Sequence, residues 1–338
     1  MEPLPLLRPP RLRPGDAVGL VAPSGPVPVK ERLERAVAQL RAWGYEPVVG
    51  PVALSGAADA PAADRAAELH AMVADPAVTC IVAAIGGYSA NAVLPHLDPV
   101  LWREHPTALV GYSDVTALLL GVLATAGVVT FHGPTALPEL GEFPGALPYT
   151  TAGWRAALTA DAGPPAPLGV LAPAPDWTEE FLAWGGDDVR PRALQPSPGW
   201  AVLAPGQARG PLLGGNIETL SVLVGTPYLP SFEGAVLLCE TTATSVSAFA
   251  QKWQHLESAG VLSGVRGVLL GRTFRAGAAV ESGVREVVRR AARDLGVPAV
   301  AGLDVGHPDP MLTLPLGCEV DLSTLAGARV EVLEPGIR

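Results

Sequence analysis

Three side chains could supply a nucleophile, a base and an orienting acid, and each sits where an apolar run stops. Ser113 follows Thr107-Ala108-Leu109-Val110-Gly111-Tyr112 and precedes a stretch of helical character. A serine at a strand-to-helix turn has its oxygen pushed out of the sheet. It also lies beside free backbone N–H groups and the positive end of a helix, which can hold an oxyanion. Serine is equally a favoured helix N-cap, so its position leaves both roles open. The hydrolase elbow G-x-S-x-G is not matched, because Val115 stands where its last glycine belongs. Glu240 ends the run Ala-Val-Leu-Leu-Cys-Glu and could orient a histidine, or serve as a capping or surface acid. His307 lies in Gly306-His307-Pro308-Asp309-Pro310, where two prolines stiffen the loop. An imidazole titrates near neutrality and suits a general base. His132, in Phe-His-Gly-Pro, is its rival. His70, His96, His105 and His255 lie on helices or loops without convergent partners.

Two glycine turns could complete such a site. The N–H of Asp114 is well placed for an oxyanion, and Gly86-Gly87 ends another strand, where a second N–H could approach closely. Gly214-Gly215-Asn216, before a helix, could hold an anion or a carbonyl, or could be a tight turn with an Asn cap. Other chemistries find no motif. There is no G-x-G for a dinucleotide, no G-x-x-x-x-G-K for a phosphate loop, and no cluster with metal-site spacing. No cofactor and no metal are expected.

The charge balance narrows the partners. A net charge of −10 without a basic run argues against a nucleic-acid polymer or an anionic membrane, both of which need a positive patch. A small-molecule or peptide substrate fits. Cys80, Cys239 and Cys318 are odd in number and far apart, which reads as buried thiols in a reducing compartment. The N-terminus lacks the apolar stretch of a secretory signal, so the cytoplasm is the expectation.

These residues need a scaffold. Short apolar runs at Ala17 to Ala22, Glu46 to Val49, Thr79 to Ile85, Thr107 to Tyr112 and Gly127 to His132 read as strands. Helical spacing separates them at Lys30 to Trp43, Ala62 to Val73 and Ser113 to about Leu123. Alternation of this kind predicts a parallel sheet covered on both faces, with ligands beyond the carboxyl ends of the strands. Gly86-Gly87, Ser113 and His132 all fall at such ends. Residues 163–175 are Pro-rich and read as a linker, and Asp176 to Gly199, with Trp177 and Trp184, reads as a long loop or short helix. From about Trp200 the pattern resumes, with helices from Ile217, from about Ser245 to Ala259, and from Val280 to Leu295. The expected organisation is α/β throughout. An N-terminal three-layer domain spans 1–162, a linker and substrate loop spans 163–199, and a smaller C-terminal α/β domain spans 200–338.

Taken in order, the segments GDAVGLVAPSGPV, AAIGGYSANAVLPHLD, LVGYSDVTALL, TFHGP, GPLLGGNIETLSVLVGTPYLP, GAVLLCE and GLDVGHPDPMLTLPLG resemble the LD-carboxypeptidase family of serine peptidases. That family includes the microcin C self-immunity proteins. The resemblance covers nearly the whole chain. It implies a Ser–Glu–His triad of Ser113, Glu240 and His307, oxyanion donors at Gly87 and Asp114, a site between two domains, and a homodimer. The stretch Asp176 to Trp184 is more like the microcin-immunity branch, where a loop tryptophan stacks on the nucleobase of an aminoacyl-nucleotide. Trp177 or Trp184 could do this, or both could be packing residues; Asn216 is a further candidate substrate contact. One departure stands out: relatives often carry an acid directly after the catalytic glutamate, where this chain has Thr241. The resemblance therefore implies cleavage of an amide in a peptidyl- or aminoacyl-nucleotide. The alternatives are release of terminal D-Ala from a muropeptide tetrapeptide, and a non-catalytic protein that sequesters a small molecule.

Overall fold

The computed structural model describes residues 4–57, 60–159 and 163–338. The first three residues of the N-terminus, and the expected end of the first domain at residue 162, lie outside the described residues.

The first sheet has six strands, in the order Leu314–Leu316, Thr130–His132, Ala108–Gly111, Val78–Ala83, Ala17–Val21, Glu46–Val49. The last five run parallel, as the alternating pattern requires. Successive side chains of a strand point to opposite faces, and here both faces are covered. Val18, Leu20, Cys80, Val82 and Val110 pack under the helices Lys30–Ala42 and Pro148–Leu158. Ala17, Val21, Ile81, Ala83 and Leu109 pack under Ala62–Ala74 and Thr116–Ala126. The three-layer arrangement follows from strands that are apolar on both sides.

The second sheet has eight strands, in the order Gly169–Val170, Arg329–Val332, Glu319–Ser323, Gln207–Asn216, Val236–Glu240, Gly267–Gly271, Ala299–Leu303, Ala201–Ala204. The long strand Gln207–Asn216 is its pivot. Its first half pairs antiparallel with Glu319–Ser323, and its second half pairs parallel with Val236–Glu240. The parallel half places Asn216 opposite Glu240 at the carboxyl ends.

Two short pieces depart from the sequence reading. Leu314–Leu316 joins the first sheet, antiparallel to Thr130–His132, although it follows the second sheet's parallel strands in the chain. Within the Pro-rich stretch, Gly169–Val170 adds an edge strand to the second sheet. Both tie the halves together, as does the helix Thr116–Ala126. Nine of its eleven residues are buried, and it packs on both the first sheet and the strand Gln207–Asn216. A helix that is apolar all round belongs in an interior, and this one fixes Ser113, just upstream, at the junction of the two sheets. The stretch 176–199 forms no helix; a two-residue pairing of Asp176–Trp177 with Gln195–Pro196 closes its base. Cys80, Cys239 and Cys318 are free and buried. Among the described residues no helix is long and apolar enough to cross a membrane.

Candidate active site

Ser113 leaves the strand Ala108–Gly111 at a sharp turn and holds φ at +59°. A non-glycine residue there carries strain of roughly 1–3 kcal/mol, sustained only by its surroundings. Those surroundings are visible. A Cβ at Gly111 would lie 2.7 Å from the Val115 side chain, and a Cβ at Gly86 would lie 2.9 Å from Ser113 Oγ. Val115 thus occupies the place of the missing elbow glycine by packing over Gly111. Ser113 makes no helix-capping hydrogen bond, so the N-cap role that its position allowed is not the one it takes.

The hydroxyl points instead at His307. Ser113 Oγ lies 3.1 Å from His307 Nε2, and His307 Nδ1 lies 3.0 Å from Glu240 Oε2. Glu240 is fully buried at the end of its strand, while the imidazole keeps 18% of its surface. Burial alone would push the glutamate up, but the charge and hydrogen bond of His307, together with His132 and Asn216, outweigh it and hold Glu240 below its usual value. Burial would likewise lower His307, but Glu240, with smaller contributions from Glu139 and Glu218, raises it. With the carboxylate ionised, Nδ1 carries the ring proton and donates a hydrogen bond to Glu240. Nε2 is then left to accept the serine proton.

His132, the rival base, is elsewhere in purpose. It is fully buried, neither ring nitrogen has a hydrogen-bond partner among the described residues, and burial pushes it down to about 4. It stays neutral behind Tyr112, whose ring is steeply inclined to both imidazoles, with centroids 6.1 Å from His132 and 5.0 Å from His307.

A cavity of about 480 Å³ opens over Ser113. Gly86, Gly87, Asp114, Asn216 and Trp184 line it. The Asp114 carboxylate accepts from Ser24 Oγ at 2.5 Å and from the Ala90 amide at 2.8 Å, and Gly86 O accepts from the Gly25 amide at 2.9 Å. These bonds hold the glycine turn against the serine turn. Asn216 Oδ1 caps its helix by accepting from the Thr219 amide, and Asn216 also favours the ionised form of Glu240. Trp177 falls outside the cavity lining: its ring lies against the Arg272 guanidinium, which Asp304 holds. Of the two loop tryptophans, only Trp184 is placed to meet a ligand.

With this geometry in place, comparison with known proteins is direct. Residues 18–133 match the LD-carboxypeptidase N-terminal domain, and residues 209–322 match the LD-carboxypeptidase C-terminal domain. A provisionally named carboxypeptidase of Vibrio cholerae is 32% identical over 90% of this chain and 91% of its own length. The chain belongs to the LD-carboxypeptidase family. Within it, the microcin C7 self-immunity protein MccF of Escherichia coli is 31% identical over 94% of this chain and 92% of its own. A solved structure of MccF with aspartyl sulfamoyl adenosine superposes with a TM-score of 0.88 at 29% identity, covering 98% of this chain and all of that one. Membership of this family makes the chain a peptidase-type hydrolase.

Against that family background, the departure at Thr241 has a local answer. Thr241 Oγ1 donates to Glu218 Oε1, so an acid reaches this neighbourhood from across the parallel strand pair. The sequence reading also missed the charged wall of the cavity. Arg32, Glu139, Glu142, Arg192 and Asp309 all line it. Arg32 lies over the Trp184 ring at 4.5 Å, a cation–π distance that stiffens the indole. Glu139 accepts from Tyr112 OH at 2.8 Å, and burial followed by the nearby Asp309 pushes it up to about 8. Asp309 was within view, two residues beyond His307. Arg32 and Arg192 carry no local signal, because Asp188 lies 156 positions from Arg32 and Asp309 lies 117 from Arg192.

Proposed function

We propose that this chain is a serine hydrolase that cleaves an amide by acyl transfer. Its Ser113 hydroxyl attacks the carbonyl carbon while His307 Nε2 takes the proton. Glu240 keeps the imidazole in the required tautomer and stabilises its charged form. The amides of Gly87 and Asp114 hold the developing oxyanion. His307 then returns the proton to the leaving nitrogen, and water repeats the sequence to release the acyl group. The observation that carries this reading is the unbroken hydrogen-bonded line from Ser113 through His307 to Glu240, at 3.1 and 3.0 Å. The same line favours catalysis over mere sequestration of a ligand.

The substrate we favour is a peptidyl- or aminoacyl-nucleotide. Trp184 offers an aromatic face inside the cavity, next to a pocket that ends at Ser113. MccF, with the same fold, has been solved with aspartyl sulfamoyl adenosine. A muropeptide tetrapeptide cleaved before its terminal D-Ala is the second reading, supported by the family itself. On the resemblance, we place the enzyme in the cytoplasm as a homodimer. Assaying the purified chain on aspartyl sulfamoyl adenosine and on a muropeptide tetrapeptide side by side decides between the two. Release of aspartate is expected; release of D-Ala alone overturns the preference.

A further inference from the structure

The loop that carries Trp184 is also bound to the loop that carries His307. Two backbone hydrogen bonds join them: the Thr178 amide donates to Asp309 O at 2.6 Å, and the Asp309 amide donates to Thr178 O at 2.9 Å. A third tie runs through side chains. Arg192 Nη2 lies 2.7 Å from Asp309 Oδ2 and 3.0 Å from Glu142 Oε2. All three groups are nearly buried. One guanidinium therefore joins the substrate loop, the histidine loop and the segment after Leu140. Farther along the loop, buried Asp188 accepts from Arg32 Nε at 2.9 Å, and Arg32 lies over Trp184.

His307 needs such an anchor. Its predecessor Gly306 sits at φ +93°, where a Cβ would meet Glu240 at 3.0 Å. The imidazole thus hangs from a glycine hinge on one side. On the other it depends on Asp309, the residue gripped by Thr178 and Arg192. Displacements of about 1 Å at a catalytic group can cost about a hundredfold in rate.

We propose that Arg192 and Asp309 couple the distal, Trp184 side of the cavity to the position of His307. Both are positioning residues. A group bound against Trp184 steadies the loop, and the loop steadies the imidazole through Arg192 and Asp309. Recognition of the distal group then appears in kcat, not only in KM, so that the enzyme selects whole substrates over truncated ones by rate. This rests on the hydrolase reading above.

The test compares two substrates. One is aspartyl sulfamoyl adenosine, and the other is the same aspartyl sulfamate capped by methyl in place of the nucleoside. The wild-type chain is expected to turn over the first with a kcat about tenfold or more above the second. Arg192→Gln should bring the two kcat values together, mainly by slowing the nucleoside substrate, and Arg192→Lys should restore part of the difference. Asp309→Asn keeps the backbone pair with Thr178 and the side-chain volume; it is expected to act like Arg192→Gln while remaining folded by thermal melting. Equal kcat values in the wild type, or variants that slow both substrates by the same factor, overturn the coupling while leaving the hydrolase reading intact. A wild type that cleaves neither compound overturns the coupling and the nucleotide-substrate preference, while cleavage of the muropeptide tetrapeptide by the same chain would leave the hydrolase reading standing.

Discussion

Replacing Glu240 by glutamine separates charge from shape. The side chain is fully buried and hydrogen-bonded to His307 Nδ1 at 3.0 Å. Glutamine has the same volume, so the packing around the strand end should survive. The charge does not. Taking the charge centres of the carboxylate and the imidazolium as about 4 Å apart, the attraction at an effective dielectric of about 20 is about 4 kcal/mol. Losing that from a transition state in which His307 is cationic slows the reaction about a thousandfold. The amide can also donate to Nδ1, which places the ring proton on Nε2, where it blocks proton transfer from Ser113. The analogous acid-to-amide change in a serine triad costs about 10⁴ in kcat, so the expected loss lies between about 10³ and 10⁴. The assay is kcat on whichever compound the wild type cleaves, with thermal melting as the control for folding. A Glu240→Gln variant that melts like the wild type and keeps kcat within about tenfold refutes the reasoning.

Three further outcomes are expected. Because His307 is raised above 6.5, and must be neutral to accept the serine proton, kcat/KM should fall as pH drops through a single ionisation above 6.5. A pH profile flat down to pH 6 contradicts this assignment. Gly86→Ala should slow turnover by about a hundredfold, since the new methyl would sit 2.9 Å from Ser113 Oγ; steady-state kinetics at unchanged melting temperature checks it. Trp184→Ala should raise KM for the nucleoside substrate by about tenfold, as loss of one base-stacking platform implies. Trp177→Ala, outside the cavity, should leave KM alone, and a reversed pair of results would reassign the platform.

How far the sequence reached depended on the range of the forces involved. Short apolar runs broken by Gly and Pro placed the strands Ala17–Val21, Glu46–Val49 and Val78–Ala83, because strand formation there is decided by local pattern. Position at strand ends was enough to bring Gly86-Gly87 and Ser113 to one rim. It could not choose between nucleophile and cap, since that depends on where the Ser113 hydroxyl points, and φ of +59° is imposed by Gly111, Val115 and Gly86 together. Position raised His132 as a rival for the same reason; only burial without a partner separates it from His307. Membership of the edge strand Leu314–Leu316 in the first sheet was not legible, because nothing local encodes its partner Thr130–His132. Arg192 and Glu142 were invisible: a surface-like arginine and a loop glutamate become a buried pair only after the substrate loop folds over the cavity.

The account stands on Ser113 as the nucleophile. Its most direct test is Ser113→Ala, assayed on aspartyl sulfamoyl adenosine and the muropeptide tetrapeptide, with intact-mass measurement of the wild-type protein trapped during turnover. The variant should fold normally and lose turnover by about 10⁴ or more, and the wild type should carry an acyl adduct that maps to the peptide containing Ser113. Turnover that persists in Ser113→Ala, or an adduct on another residue, contradicts it.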